Sequence, residues 1–255
     1  MTRINVWILG SSGNLGRALA QEIDATKSNV VNMLYLVDQV AFPSCYPLSN
    51  CNTKFLEADI ADGDFIQALE PNLQIPHLFI NLVAKDYPVT SAGLCANSTH
   101  PFSLNTEEYN RSMAVTAGTT YNLVRLIIEK QISSAHLVLI GTIYNYMLPD
   151  PAFYSPDKSL YKPVSYSSAK HAQKALMHQA AVYLANVGGR CNSVAFGGIN
   201  LDQSAEFKQA YSLRAPQMRL VPLNDAIKTL IWLAFDSPPS VNGAELLVDG
   251  GMSLT

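Results

Sequence analysis

Charge is scarce in this chain. Only 15% of its 255 residues are charged, and 17 Lys and Arg nearly balance 20 Asp and Glu. A net charge of −3 gives no electrostatic footprint for nucleic acid or for an anionic membrane surface. Cysteine is equally thin. Cys45, Cys51, Cys95 and Cys191 are scattered and lack metal-ligand spacing, so neither a disulfide framework nor a metal site is expected, and a reducing cytoplasm suits them better. His100, His171 and His178 have no acidic or Cys partner at ligand spacing and read as structural or surface residues. No apolar run reaches the roughly 18 residues of a membrane span. The opening MTRINVWILGSSG carries no signal-peptide cleavage pattern, and a cytoplasmic protein is expected. Linker composition, repeats and low-complexity tracts are also missing, so residues 1–255 read as a single domain.

What the chain does have is hydrophobic content, 48%, arranged in short apolar runs separated by helical patterns. The runs at 5–10, 30–38, 53–60, 77–84, 135–142, 190–196 and 244–251 read as strands. Helices are expected over 14–23, 63–70, 105–130, from about Tyr166 to Val187, and over 224–236. The strands are apolar throughout rather than alternating, as when both faces of a sheet are covered. The fold class is therefore α/β: a doubly wound parallel sheet of about seven strands in a three-layer α/β/α arrangement. Loops 85–104, 143–163 and 200–220 are long enough to serve as binding loops that set specificity.

The first strand runs into ILGSSGNLGRALA, with Gly10, Gly13 and Gly16 at the turn into the first helix. Glycine permits a tight turn and close approach of backbone to a pyrophosphate, which free N–H groups at the helix start then hold. Strand, turn and helix in this order are the context that gives such a motif weight, and Ser12, Asn14 and Leu15 complete the loop. The second strand ends in Asp38, 22 residues beyond Gly16, placed to accept from the adenosine ribose hydroxyls. A carboxylate there repels a 2′-phosphate, so NAD is favoured over NADP. Arg17 argues the other way but reads as a solvated helix residue.

Downstream stands PVSYSSAKHA. Tyr166 and Lys170 lie four residues apart, one helical turn, and share a face. With the glycine turn at one end and this pair at the other, the chain resembles the short-chain dehydrogenase/reductase family over nearly its whole length, a Rossmann-type fold. Asp59-Ile60 is similar to that family's adenine-contacting pair. Asn81 matches the first Asn of its Asn-Asn-Ala-Gly motif, whose other positions hold Leu82, Val83 and Ala84. FGGI, with Gly197 and Ile199, resembles the Pro-Gly-Gly-Ile segment facing the nicotinamide, with Phe196 in place of Pro. VNGAELLVDGG resembles the family's ending. GTIYNYMLPDPAFY, PVSYSSAKHA and FGGINLDQ together look most similar to the flagellin modification protein A branch, associated with nucleotide-sugar and surface-glycan pathways.

The resemblance implies an NAD(P)-dependent oxidoreductase, NAD(H) favoured. It moves hydride between the nicotinamide and a small hydroxyl or keto substrate, with a nucleotide sugar or glycan precursor among the candidates. Tyr166 becomes the general acid/base. Lys170 lowers the phenol's pKa and holds ribose hydroxyls. Thr142 polarises the substrate carbonyl in place of the usual Ser, and no metal takes part. Tyr144 and Tyr146 are candidates to line the cleft. Asn14 replaces the middle glycine of the cofactor loop, and asparagine tolerates positive φ better than most residues. Thr116 stands where many members carry an Asn that supports a water-mediated proton relay. Asn110 falls six residues too early for that role and faces solvent. The apolar face Ala172, Ala175, Leu176, Ala180, Ala181 implies a homodimer or homotetramer. Rival readings are a nucleotide-sugar dehydratase or epimerase, and a dinucleotide-binding regulatory or scaffold protein without turnover.

Overall fold

The seven apolar runs assemble into one parallel sheet. In a computed structural model of the chain, which describes residues 3–61, 77–87, 89–90, 93–94, 98–154 and 160–255, its strands are β1 (Ile4–Leu9), β2 (Val31–Asp38), β3 (Thr53–Glu57), β4 (His77–Asn81), β7 (His136–Thr142), β8 (Arg190–Phe196) and β9 (Glu245–Val248). Two-residue strands β5 (Val89–Thr90) and β6 (Gly93–Leu94) form a separate antiparallel ladder inside the expected irregular stretch. The order in the large sheet is β3-β2-β1-β4-β7-β8-β9. The chain thus leaves β1 in one direction and continues from β4 in the other. The strand ends on either side of that reversal part into a crevice, the usual ligand position in such sheets.

Among the described residues six α-helices cover the sheet: α1 (Asn14–Thr26), α2 (Thr106–Met113), α3 (Thr119–Glu129), α4 (Val164–Ala185), α5 (Ala205–Ser212) and α6 (Leu223–Ile231). α1 buries Gly16, Leu19, Ala20 and Ile23, a stripe at three- and four-residue spacing. With Leu230 and Leu233 this stripe packs on one face of the sheet. Leu123, Ile127, Met177 and Leu184 from α3 and α4 pack on the other. A third cluster, with Phe153, Phe207 and Tyr211, roofs the strand ends.

The expected helix over 63–70 lies outside the described residues. The fourth strand stops at Asn81 rather than 84, because Asn81 turns its carboxamide oxygen onto the N–H of Val83 at 3.1 Å. The long helix expected over 105–130 is interrupted by a π-helical turn, Ala114–Gly118. α5 was not expected; Ser204 caps it by accepting from the Phe207 N–H at 3.2 Å. Ala180 and Ala181 of the supposed partner-facing stripe are buried in the chain's own core, while Ala175 is exposed. Cys45 and Cys51 are free, Cys191 is buried and free, and His100, His171 and His178 are exposed. Among the described residues no helix is long and apolar enough to cross a membrane.

Two histidines are buried, and one carries a pH dependence. His136, at the start of β7, accepts from the Asn192 Nδ2 at 3.3 Å and faces the Ala234 carbonyl at 3.3 Å with Nδ1. That pair of contacts requires the neutral ring. Burial first, then the Arg190 charge, hold its pKa down to about 3. The unfolded chain therefore takes the proton first. The stabilisation is complete above the ordinary value of 6.5 and is lost as pH falls towards about 3. At about pH 5 the expected loss is about 2 kcal/mol of unfolding free energy. Urea titrations at neutral pH and near pH 5 measure it, and His136→Gln should flatten the difference.

Candidate functional site

The crevice starts at the glycine turn. Gly10 takes φ +83°, a conformation that disfavours side chains. Its carbonyl and that of Ser11 lie so close to α1 that a Cβ on Gly16 would come within 2.3 Å and 2.6 Å of them. Asn14 opens α1, and neither a side-chain cap nor an acidic residue in the first turn satisfies or screens its leading N–H groups. Arg17 is not the solvated residue expected. Its guanidinium donates to the Ser12 carbonyl at 2.7 Å and to the Asn14 side chain, and it lies 5.1 Å over the Tyr46 ring. It braces the loop. Leu15 packs partly against the core below.

Two hollows flank this turn. One, of about 280 Å³, is lined by Gly10, Gly13, Asp38, Asp59, Ile60 and Leu82. Asp38 there accepts from the Ser12 N–H at 2.9 Å. Asp59 accepts from Arg111 of α2 at 2.8 Å and from the Ala61 N–H at 2.9 Å. Burial raises the pKa of Asp59, but Arg111 and these bonds outweigh it and leave the carboxyl below its ordinary range. The other hollow, of about 350 Å³, begins at Asn14 and is lined by Thr142, Tyr144, Tyr166, Gly197 and Ile199. A helix start with uncapped donors, a carboxylate on one side and hydroxyls on the other fit a dinucleotide lying across the turn. Asp38, Asp59 and Ile60 would hold its adenosine half, the 13–16 backbone its phosphates, and Lys170, Gly197 and Ile199 its nicotinamide half. Asn81, fully buried, shapes the floor through Thr120 at 3.2 Å.

Pro163 starts α4 and sets Tyr166 and Lys170 on its cleft face. The Tyr166 phenol and the Thr142 hydroxyl line the same hollow, and Thr142 accepts from the Tyr144 N–H at 3.3 Å. Tyr144 meets the Tyr166 ring edge-on at 6.3 Å and shares a hydroxyl contact with Tyr154. Tyr146 points elsewhere, donating to Glu245 at 2.7 Å. Burial, then the Asp86 carboxylate, push the Tyr166 phenol well above its ordinary value, while the nearby Thr142 hydroxyl acts against them. Lys170 is not among the groups that set this shift; its ammonium donates to the Ile140 carbonyl at 2.6 Å and to Gln173 Oε1 at 3.1 Å. Burial lowers its pKa to about 8, partly opposed by Asp86 and Glu245.

Three features escaped the sequence reading. Lys162, buried, ion-pairs with Asp86, donates to the Tyr87 carbonyl at 2.9 Å and sits 4.5 Å over the Tyr166 ring. Lys162 and Asp86 are 76 residues apart and carry no motif. Gln173 is a core polar residue on α4 whose spacing to Lys170, three residues, did carry a signal. Asn110 is exposed as expected, and Thr116 is buried, accepting from the Lys85 N–H at 3.1 Å.

Residues 10–253 match the family model described as enoyl-(acyl carrier protein) reductase. Glucose 1-dehydrogenase 2 of Bacillus subtilis (strain 168) is 24% identical over 258 residues, covering 97% of this chain and 93% of that protein. An L-rhamnose 1-dehydrogenase (NAD(P)(+)) from Sphingomonas sp. is 29% identical over 177 residues, 66% of this chain and 65% of that protein. Among solved structures, a short-chain dehydrogenase from Leptospira borgpetersenii with bound NAD+ superposes with a TM-score of 0.80 at 26% identity, covering 99% of this chain and 94% of that one.

Proposed function

The chain belongs to the short-chain dehydrogenase/reductase family and is an NAD(P)-dependent oxidoreductase, and on that premise we propose that Tyr166 is its general acid/base towards a small hydroxyl or keto substrate. The observation that carries the reading is that Tyr166 and Thr142 line one cleft that begins at Asn14, the start of α1. The nicotinamide, when bound, supplies or accepts the hydride. Thr142 orients the substrate oxygen against the phenol. Lys170, with two of its three N–H donors engaged, keeps one for the ribose hydroxyls or the phenolate. The raised pKa of free Tyr166 means that its phenolate needs a cation close by in the working complex.

A cleft of about 350 Å³ with Tyr144, Tyr154 and Phe207 on its walls suits a sugar-sized substrate. The names of two relatives, which contain glucose and L-rhamnose, support that class. A nucleotide sugar or glycan precursor is the larger variant of the same reading. Exposed Tyr121 on α3 and Val182 and Tyr183 on α4 support a homodimer or homotetramer. The test is NADH formation from a panel of aldoses, with Tyr166→Phe as the control; no turnover of any aldose or keto counterpart by the wild type would refute it.

NAD is the preferred cofactor in this reading, because the Asp38 and Asp59 carboxylates share the adenosine hollow. Asp38→Ala removes a repulsive charge at the 2′ position. The kcat/KM ratio for NAD+ over NADP+ is expected to fall by about 10- to 100-fold, on the order of 1.4–2.7 kcal/mol. Steady-state kinetics with both cofactors measures it.

A further inference from the structure

Lys170 is 2% exposed, and a buried ammonium is tolerated only where acceptors surround it. Among the described residues no carboxylate forms an ion pair with it: Asp86 is taken by Lys162 and Glu245 by Lys174, the latter at 2.8 Å. Its acceptors are the Ile140 carbonyl and Gln173 Oε1. Gln173 is itself 2% exposed, and its Nε2 donates to the Thr120 hydroxyl at 3.0 Å and faces the Thr116 carbonyl at 3.5 Å. These contacts admit one orientation of the amide. An ammonium only donates, so the oxygen must face it, and a carbonyl only accepts, so the nitrogen must face that. Thr116 lies in the π-helical turn Ala114–Gly118, a feature that concentrates at functional sites. It is also the position where the sequence lacks the family's relay Asn.

We infer that Gln173 is a positioning residue, whose amide, clamped against the π turn and Thr120, holds the Lys170 ammonium in place. The inference rests on the reading of Lys170 as the group directed at cofactor and phenol. Charged and titratable groups around Lys170 are Asp86 beyond β4, Glu245 on β9, Lys174 and Tyr166 on α4, and Lys162 before it. None of them is altered by a change at position 173.

NADH binding, followed by fluorescence from about pH 6.5 to 10, tests this without requiring a substrate. Gln173→Met keeps the side-chain length and removes its contacts with Lys170, Thr120 and the Thr116 carbonyl. Its NADH dissociation constant is expected to rise about 5- to 10-fold at neutral pH, and the pH at which affinity falls away to move down by about one unit, because the ammonium has lost an acceptor. Gln173→Glu sets an anion beside the ammonium and should move that pH up by about one unit. A structural role alone moves both variants the same way. Circular dichroism and thermal melts identify a variant that has not folded, in which case the other decides. Folded variants that bind NADH with the wild-type affinity and pH dependence, or that shift together, overturn the inference. Turnover by Tyr166→Phe equal to wild type on an oxidised aldose would remove the catalytic reading alone, since the binding data judge Gln173 separately. Wild-type protein that fails to bind NADH removes both.

Discussion

Tyr166→Phe is expected to lower kcat by about 10²- to 10⁴-fold, the usual contribution of a positioned acid/base group, while leaving fold and cofactor affinity nearly intact. The substitution deletes one oxygen and keeps the ring. The edge-on contact with Tyr144 at 6.3 Å survives, as does the position of Lys162 over the ring at 4.5 Å. Thr142 loses the phenol but keeps the Tyr144 N–H. The melting temperature should change by no more than a few degrees, and the NADH dissociation constant by less than about threefold. A kcat within about tenfold of the wild type would show that the proton travels by another group.

The second large effect is expected at a position with no chemistry of its own. A Cβ at Gly16 would stand 2.3 Å from the Gly10 carbonyl, 2.6 Å from that of Ser11 and 2.7 Å from the Ser11 carbonyl carbon. All three atoms are backbone, so no rotamer change relieves the overlap, and the turn must open. Gly10 O also accepts from the Gly13 N–H at 3.4 Å, and that contact goes with it. Gly16→Val should destabilise the chain by about 3 kcal/mol, a fall of about 6–12 °C in Tm for a protein of this size. NADH affinity should fall by more than about 100-fold, because the helix-start N–H groups proposed to hold the phosphates would no longer converge. Gly13→Ala is the contrast: its Cβ would meet only Gly10 O, at 3.5 Å. Melting curves and NADH titrations of the pair measure the difference, and equal behaviour of the two would refute the steric account.

The sequence showed these parts unevenly, for physical reasons. Every strand of the large sheet was legible, the central ones because parallel strands buried on both faces leave continuous apolar runs that no helix interrupts. The glycine turn, Asp38 and the Tyr166/Lys170 pair were legible because each is a local pattern fixed by backbone geometry. Contacts between distant segments were not. Lys162 and Asp86 meet only because α4 starts beside the segment after β4, and neither residue has a spacing that announces the other. The direction of the Lys170 side chain was hidden as well. Helical periodicity says which face a lysine leaves from, but not that a carbonyl on β7 and an amide one turn along α4 will capture it. The π turn left no mark either, since Ala-Val-Thr-Ala-Gly suits an ordinary helix.

That wide turn has a consequence for which length changes the chain can tolerate. Ahead of it, Arg111 reaches Asp59 beside the glycine turn; behind it, Thr120 accepts from Gln173, the amide that also accepts from Lys170. The surplus residue sets the rotational phase between these two contacts. Deleting any one of the five would rewind the segment to ordinary pitch and swing one contact about 100° around the helix axis relative to the other. A single-codon deletion here thus costs more than the loss of the side chain it removes, because the two ends of the cleft are kept in step by a count of residues.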